Sequence, residues 1–584
     1  MAKKSGVKPQ EIEKWMGRIK RAESIRDEAD KDFGYSRSLL EYQNDYQSAM
    51  PSFVSNVDII PINEVYAFAK AFLPSVYSRD PFIAVTPKGY ASIASAKILE
   101  LAVNGYWRDL RLKRDVKRAV LDAIFAEGWI KAGYTAEIGK DDESPVESSE
   151  FVKSEEIFAT RVSWRNMVRD PDAVNGIHDA RWVAQNIVKP IEIVRASSLY
   201  ENTKGLTPSI TNRWRSDPMN KAMKYEDEVE YVSLWEIWDR DAQKVFTIAD
   251  TNADYLMNKD WPYDIEGFPY TLLRFNENPD MGYSPNLISS WEPQLWEKMK
   301  IRAMQMDHIK RFGRQLSAER GSLKPAEMSK FAEGRTGAII QHEKGKNPPA
   351  PIPYPQIQSD MYGVENRIDL DKDNVSGQPN AVRSAPQKTQ SRTLGEIDRL
   401  ISSFQARQSE PQAIIEDFCG EIAFKLIGLM KQFLTMPKFV RATQKEAKEI
   451  AGALIDPLTG ETRFDGNGFK FTKQDIQDAE FEIDVRAGST LPLDKQSRLE
   501  AMTSLLKLGP TLGIQPGGLV SRALGKNLLS DFELKEVEQA YDEEMRQIEI
   551  QKKMMQAQQA GNLEMAKAQE DSIRDQIESM RNGG

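Results

Sequence analysis

The chain has few of the side chains on which enzyme and metal sites are usually built. Its 584 residues include one cysteine and three histidines. A single thiol excludes an intrachain disulfide and suits a reducing compartment. Cys419 lies in an apolar helical pattern, which predicts a buried small side chain rather than a nucleophile. His178, His308 and His342 are far apart in sequence and lack the spacing of metal ligands. We therefore predict no catalytic residue, no metal site and no cofactor.

Motifs for phosphate and calcium binding are also missing from the sequence. The pair Gly525-Lys526 is followed by Asn527, and no glycine precedes it at the distance that a P-loop requires. The acidic run Asp369-x-Asp371-x-Asp373 begins like a calcium loop. Its sixth position, however, is asparagine rather than glycine, and its twelfth is asparagine rather than glutamate. We interpret this run as a solvated helix end.

Long apolar runs and an excess of positive charge are absent as well. No stretch approaches the ~20 apolar residues that cross a bilayer, and the basic start Met1-Ala-Lys-Lys-Ser5 lacks the apolar core of a secretion signal. The expectation is therefore no membrane partner. The net charge of −9 disfavours a protein that coats nucleic acid tightly. It is compatible with a protein that surrounds DNA without gripping it.

Length and hydrophobic periodicity predict an α+β chain of two to four structural units. Residues 129–275 are rich in Val, Ile, Trp and Tyr in short runs, which predicts a β-rich body. A glycine- and proline-rich stretch, 317–355, has one strand candidate at 337–341, and 374–388 is polar and flexible in character. Thr393 and Glu396 have capping-box spacing. The predicted helices are 8–48, Glu64–Tyr77, Ser92–Glu127, Asn286–Leu316, Ile357–Asp371 and Thr393 to about Leu434.

The stretch around Asp170-Pro171-Asp172 is the most distinctive part of the sequence. A strand-like run, 161–168, ends at this turn, where proline fixes φ and the aspartates can bond the backbone. A second strand-like run, 180–188, leaves it. The pattern predicts two strands joined by a loop.

Several segments, in this order, resemble those of tailed-bacteriophage portal proteins, the head-to-tail connectors, and the type found in short-tailed phages in particular. They are Asn63–Tyr66 with Pro81–Val85, Asp170–Ala173 with Asp179–Val183, Phe268–Tyr270 with Gly282–Ser284, and Val485–Thr490. The family commonly has a Thr-Ala-Thr-Glu-like motif after its channel loop. Here Thr393-Leu-Gly-Glu396 matches it only loosely.

The resemblance implies an architecture of long stem helices, a β-rich wing, a small clip insertion and a helical crown with a C-terminal tail. The corresponding ranges are 1–285 for the N-terminal helices and α/β wing, 286–316 for stem helix 1, 317–355 for the clip, 356–373 for stem helix 2, 374–392 for the channel loop, 393–494 for the wing helix and α/β return, 495–531 for the crown and 532–584 for the polar helical tail.

The resemblance also implies a function without enzymatic activity. Portal proteins form a ring, usually of twelve subunits, at one capsid vertex, and the ring is a conduit for genome packaging and ejection. The implied partners are other copies of the chain, double-stranded DNA, terminase, the major capsid and scaffolding proteins, and tail adaptor proteins. The implied location is the virion, with the host cytoplasm during assembly.

Two sets of basic residues are candidate contact sites under this resemblance. For each, the alternative is an ordinary solvated surface or linker. The candidates for facing DNA in the channel are Lys300, Lys310, Arg311, Arg314, Lys372, Arg383, Lys388 and Arg392. The candidates for docking terminase or adaptors are Lys324, Lys330, Arg335, Lys344 and Lys346.

Two other functions stay open at this point. The chain could be another virion structural protein, such as a scaffold or tail component, although a scaffold would not need a β-rich body of about 150 residues. It could also be a phage hydrolase with a nonstandard site. An activity screen distinguishes the hydrolase from the other two.

Overall fold

The fold is described from a computed structural model. The described residues are 9–33, 64–89, 93–140, 150–209, 230–252, 254–278, 282–312, 316–333, 341–348, 350–351, 359–376, 394–442, 450, 464–465, 467–477 and 480–486. The chain divides into two compact units, Met1–Leu491 and Pro492–Gly584, and all described residues belong to the first. The predictions for 495–531 and 532–584 therefore lie outside the described residues.

Two helices open the described part of the chain. Helix α1, Pro9–Phe33, lies within the predicted 8–48, and helix α2, Glu64–Val76, agrees with its prediction. One face of α1 buries Ile12, Trp15 and Ile19 against aromatic side chains of a β-sheet. This burial explains why apolar residues recur at helical spacing in a segment that is otherwise highly charged.

The segment 92–127 forms two helices, where the sequence predicted one. Helix α3 is Ile93–Asp109 and helix α4 is Leu112–Phe125. Arg111 between them has φ 53°, in the left-handed region, and a right-handed helix cannot continue through that conformation. The apolar residues of both helices belong to one core, so the amphipathic pattern persists across the break and hides it in the sequence.

The predicted β-rich body of 129–275 is confirmed as two antiparallel sheets. The first has the order β3-β2-β9 and the second the order β4-β5-β6-β7-β8. Their strands are β2 Gly128–Lys140, β3 Glu150–Val162, β4 Met167–Arg169, β5 Trp182–Pro190, β6 Tyr231–Asp239, β7 Lys244–Ala249, β8 Met257–Asp260 and β9 Tyr270–Leu273. A short helix, α5 Ile191–Ala196, follows β5.

The prediction of one continuous strand over 161–168 is wrong, because the structure has two strands there. Strand β3 ends at Val162, a 3-10 turn covers Trp164–Asn166, and β4 begins at Met167. The chain passes here from one sheet to the other, while Val162 before the turn and Met167 after it pack in the same core, so the apolar pattern continues across the break. The predicted pairing across the Asp-Pro-Asp turn is correct, because β4 pairs with β5, with Val168 opposite Ala184.

A helix pair and a small module follow. Helix α6 is Glu292–Phe312 and helix α8 is Ser359–Ser376. Between them, the two-residue strands β10, Leu316–Ser317, and β11, Ala350–Pro351, pair antiparallel. Helix α7, Pro325–Glu333, lies inside this module and was not predicted. Of the strand candidate 337–341, residues 337–340 lie outside the described residues.

A 40-residue helix, α9 Leu394–Phe433, crosses the main core and includes Pro411. Its end agrees with the predicted Leu434, while Thr393 lies outside the described residues. Cys419 is buried within it, as predicted. The chain then forms β12 Lys438–Arg441, β13 Gly468–Phe471, the single-turn α10 Lys473–Ile476 and β14 Phe481–Val485.

The fold is thus mixed α and β. Strand β14 pairs antiparallel with β1, Ile83–Pro87, which joins segments about 400 residues apart in sequence. Among the described helices, none is long and apolar enough to cross a membrane.

Candidate functional site

Helices α6 and α8 pair with each other and contain four of the eight predicted channel residues, Lys300, Lys310, Arg311 and Lys372. Lys298 Nζ lies 2.5 Å from Asp369 Oδ1, and Arg302 Nε donates to Glu365 Oε1 at 2.6 Å. From Lys298 to Arg302 the residue number rises by four on α6, while from Asp369 to Glu365 it falls by four on α8. The two helices are therefore antiparallel, and one turn separates the two ion pairs.

The inner ion pair is part of a buried cluster that also includes α2. Lys298 Nζ donates to Glu64 Oε1 at 2.8 Å, and Lys372 Nζ donates both to Glu64 and, at 3.1 Å, to Asp369 Oδ1. The exposed fractions of Lys298 and Lys372 are 7% and 2%. Two ammonium groups and two carboxylates give a neutral cluster, which is the arrangement that makes buried charge tolerable. It fixes the helix pair to α2.

The pKa values of the cluster favour its charged form. Burial raises the pKa of the Glu64 carboxyl, but the hydrogen bonds from Lys298 and Lys372 outweigh burial and hold that pKa below its ordinary value. The same balance lowers the pKa of Asp369. For Lys298, burial lowers the pKa, and the bonds to Asp369 and Glu64 reverse the direction and raise it.

Lys372 was predicted to be a cation that faces the channel. In the structure it is buried instead. It lies on α8, within the range predicted for stem helix 2, and its ammonium group is buried against two carboxylates. The helix also extends to Ser376, beyond the predicted end at Asp371. Charge alone suggested an exposed role, because the sequence does not show that Glu64, 308 residues away, is its partner.

The structure describes little of the remaining channel prediction. Lys300 is exposed on α6 and makes no ion pair with a described residue. Lys310 and Arg311 belong to α6, but nothing is described of their side chains. Arg314, Arg383, Lys388 and Arg392 lie outside the described residues.

The predicted docking residues that the structure describes lie on the surface of the module between β10 and β11. Lys324 and Lys344 are exposed, without an ion pair to a described residue. Lys330 Nζ lies 2.9 Å from Glu327 Oε1, and Lys346 Nζ donates to the Gly321 carbonyl at 3.0 Å. Arg335 lies outside the described residues. Four of the five candidates are thus brought to one small module.

The segment before α6 is anchored to the β-rich body by a buried arginine. Arg169 makes a two-point contact with Glu127, at 2.7 and 2.8 Å, and also donates to the carbonyl of Gly282. The ring of Tyr283 lies 4.1 Å from the guanidinium carbon. A Cβ atom on Gly282 would lie 2.7 Å from the Ala173 carbonyl oxygen, so this close approach requires glycine.

Asn286 ties the start of the helix pair to two preceding helices. Its amide nitrogen donates to the carbonyls of Phe33 and Phe125, at 2.7 and 3.1 Å. Its amide oxygen accepts from the backbone N–H groups of Ile288 and Ser289. The polar turn at 286–289 explains why α6 begins at Glu292 rather than at the predicted Asn286.

The Asp-Pro-Asp turn is held by its own side chains. Asp170 accepts from Arg181 Nε at 2.5 Å, and Asp179 accepts from the backbone N–H groups of Val174 and Asn175 at 3.1 Å. Burial raises the pKa of Asp170, and the hydrogen bonds from Arg181 reverse this and lower it. These groups satisfy one another, so the structure gives this motif a structural role.

A cleft of about 850 Å³ lies beside α9 and has a buried lysine in its wall. Lys425 Nζ donates to the Tyr270 carbonyl at 2.6 Å and to Thr271 Oγ1 at 2.8 Å, and Glu421 lies 3.7 Å away. Burial lowers the pKa of Lys425 to about 8, although Glu421 opposes the shift. His178, at the same cleft, is exposed and lies 3.6 Å from Glu421.

No family model matches the chain, and no curated protein matches it either. Within the described ranges, no group of three or more His, Cys, Asp and Glu residues could hold a metal ion.

The buried cluster was not predicted from the sequence. A signal for it exists, because Lys298 falls between Leu295 and Met299 on the apolar stripe of α6, where a solvated lysine is not expected. That signal identifies a buried cation. It does not identify Glu64 or Asp369 as its partners.

Proposed function

We propose that the protein is a portal protein, which forms a ring at one capsid vertex and conducts double-stranded DNA during packaging and ejection. The stem of each subunit would be the antiparallel pair α6 and α8, and the clip would be the module from Leu316 to Pro351. The β-rich body and α9 would form the wing. The protein would be a passive conduit, with the ATPase on a terminase partner.

One observation carries this proposal. Two antiparallel helices interrupt the chain between a β-rich body and a 40-residue helix, and a small module joins their far ends. In a ring, the helix pairs of neighbouring subunits would lie side by side and surround an axial channel.

The placement of the segments that carry the resemblance adds support. Ile83 of the Pro81–Val85 segment lies opposite Val485 in the β1–β14 pair. Arg169, next to the Asp-Pro-Asp turn, contacts the Gly282–Tyr283 segment. Four of the segments that carry the resemblance thus meet, directly or through a neighbouring residue, at two structural junctions.

The net charge of −9 fits a conduit better than a DNA clamp. Every phosphate contact must break when DNA advances, so a moving duplex requires few strong contacts. The burial of Lys372 removes one expected contact. Lys300, on the exposed surface of α6, remains a candidate for facing the duplex, and the loop candidates Arg383, Lys388 and Arg392 are proposed for transient contacts.

The oligomeric state of the purified protein tests the proposal. Twelve chains of 66.3 kDa give a closed assembly of about 800 kDa in native mass spectrometry. A filament, or a compact monomer with hydrolytic activity, would overturn it and favour the tail-component or hydrolase alternative respectively.

A further inference from the structure

The turn between α3 and α4 has an unusually dense set of cations. Over eleven residues, 108–118, the chain has six basic side chains and two acidic ones. We call this segment the basic elbow. Its cations are Arg108, Arg111, Lys113, Arg114, Lys117 and Arg118. Because the net charge of the whole protein is −9, this local excess of positive charge distinguishes the elbow from the rest of the chain.

The cations of the basic elbow are largely uncompensated. Arg108, Arg111, Arg114 and Arg118 are exposed, and Lys113 and Lys117 are partly exposed. Of the six, only Arg118 has an ion pair with a described residue, at 3.8 Å from Asp115. Six like charges in this space repel one another, so an anionic partner would relieve a real electrostatic cost.

The backbone contributes little to the field at the elbow. Helix α4 begins at Leu112 and directs the positive end of its dipole toward the elbow. Helix α3 ends at Asp109 and directs the negative end of its dipole to the same place. The two contributions oppose each other, so the positive field comes from the six side chains.

The cations surround a concave surface. A cleft of about 640 Å³ is lined by all six of them, together with Asp80 and Trp107. A second cleft of about 480 Å³ shares Asp80, Trp107 and Arg108 with the first. The basic surface is thus a groove with a buried tryptophan in its wall.

The structure assigns the basic elbow as a binding surface for the phosphate backbone of double-stranded nucleic acid, without sequence preference. Four of its cations are arginines, whose planar guanidinium groups match phosphate oxygens in two-point contacts. Residues 111–118 span about 10 Å along a helix, which is about three phosphate steps of one strand.

The composition of the surface favours nucleic acid over an acidic protein. Protein interfaces usually have an apolar or aromatic centre. Between Tyr106 and Arg118, all of which is described, no large hydrophobic side chain is exposed. A phosphate backbone needs no such anchor, because charge and counterion release supply the binding free energy.

This inference does not depend on the proposed function. It requires no ring and no packaging motor, and it predicts equilibrium binding by the purified chain. If the protein were not a portal protein, the basic elbow could still bind nucleic acid. If the elbow did not bind nucleic acid, the portal proposal would still stand.

The test is fluorescence anisotropy of a labelled 20-base-pair duplex titrated with the full-length protein between 50 and 200 mM salt. The variant Arg108→Gln/Arg111→Asn/Arg114→Gln removes three exposed cations, and asparagine is tolerated at the left-handed position 111. We expect at least tenfold weaker binding at 50 mM salt. We also expect the slope of log affinity against log salt to become shallower by about 2 to 3, since each lost phosphate contact contributes about 0.9.

A matched control removes three exposed lysines elsewhere, in Lys204→Gln/Lys244→Gln/Lys259→Gln. If the basic elbow is the binding site, the control variant binds the duplex with the same affinity as the unmodified protein. The slope of its log affinity against log salt is also unchanged. Equal effects of the two variants would overturn the inference. So would a duplex that does not bind while a peptide of residues 531–545, of net charge −6, binds through the elbow, since the partner would then be an acidic protein segment.

Discussion

Buried lysines in this protein fall into two classes that differ in their partners. Lys298 and Lys372 share two carboxylates in a neutral cluster, whereas Lys425 is held mainly by a carbonyl and a hydroxyl oxygen. In the first class, the hydrogen bonds to Asp369 and Glu64 hold the pKa of Lys298 above its ordinary value. The second is not fully compensated, which is why its pKa falls to about 8. Folding therefore favours the charged form of Lys298 and disfavours the charged form of Lys425.

Replacing Lys372 with alanine should destabilise the fold by about 3 kcal/mol or more, because Glu64 and Asp369 would lose a buried cation. Urea unfolding at pH 7 measures the change. The control is Lys300→Ala on the exposed face of α6, which should stay within about 0.5 kcal/mol of the unmodified protein. Equal losses in the two variants would show that the cluster does not hold the helix pair.

Lys425 should make stability rise with pH in the alkaline range. Its folded pKa of about 8 lies below the ordinary 10.5, so between these values the unfolded chain binds more protons. The free energy of unfolding of the unmodified protein, relative to Lys425→Met, should therefore increase from pH 8 to 10, by at most about 1.4 kcal/mol per pH unit. Unfolding curves at four pH values measure this difference. A flat difference, or one that falls with pH, would contradict the assigned burial.

The bounds of a helix were predicted well where its apolar stripe packs against a single core. The apolar stripes of α2 and α9 each face a single core, and their predicted bounds agree with the structure to within a few residues. The predictions failed where the backbone changes direction without a change in the apolar pattern, as at Arg111 and at the 3-10 turn after β3. Such breaks depend on tertiary packing, which a local pattern does not show.

The contact of α4 with β2 depends on a glycine. A Cβ atom on Gly128 would lie 2.3 Å from the Ala119 carbonyl oxygen. Gly128→Ala should therefore separate the helix from the sheet and lower stability by about 1 to 3 kcal/mol. Thermal or urea unfolding checks this value.

The matched control is Gly363→Ala on α8, where an added Cβ meets nothing within 4 Å. Because alanine favours the helix over glycine, that variant should gain up to about 1 kcal/mol. Stabilisation in both variants would mean that the helix and sheet adjust freely at Gly128.

The module between β10 and β11 can be removed as a unit. Its two-residue strands bring the chain ends together, so a short turn of glycine and asparagine in place of 318–349 should close the gap. Under the proposed function, this variant still forms rings but no longer binds terminase in a pull-down. The control carries Lys204→Gln/Lys244→Gln/Lys259→Gln and should bind normally. Normal terminase binding by the shortened ring would place the docking site elsewhere.

At the scale of the whole molecule, the order of elements was predictable and the long-range contacts were not. The sequence indicated a β-rich body, two helices around an insertion and a long later helix, all of which the structure contains. Glu64, Lys298, Asp369 and Lys372 come from three separate segments, and no local pattern links them. The acidic groups of a chain with 88 Asp and Glu residues are too numerous for charge alone to indicate the pairs.

Under the proposed function, the α6–α8 pair forms the wall of an axial channel in a ring. A cryo-electron microscopy reconstruction of the purified, assembled protein tests it most directly. We predict a closed ring of about twelve subunits, with α6 and α8 around the axial hole and Lys300 on the surface that faces it. A ring with this helix pair on its outer rim, or an open filament, would contradict the account.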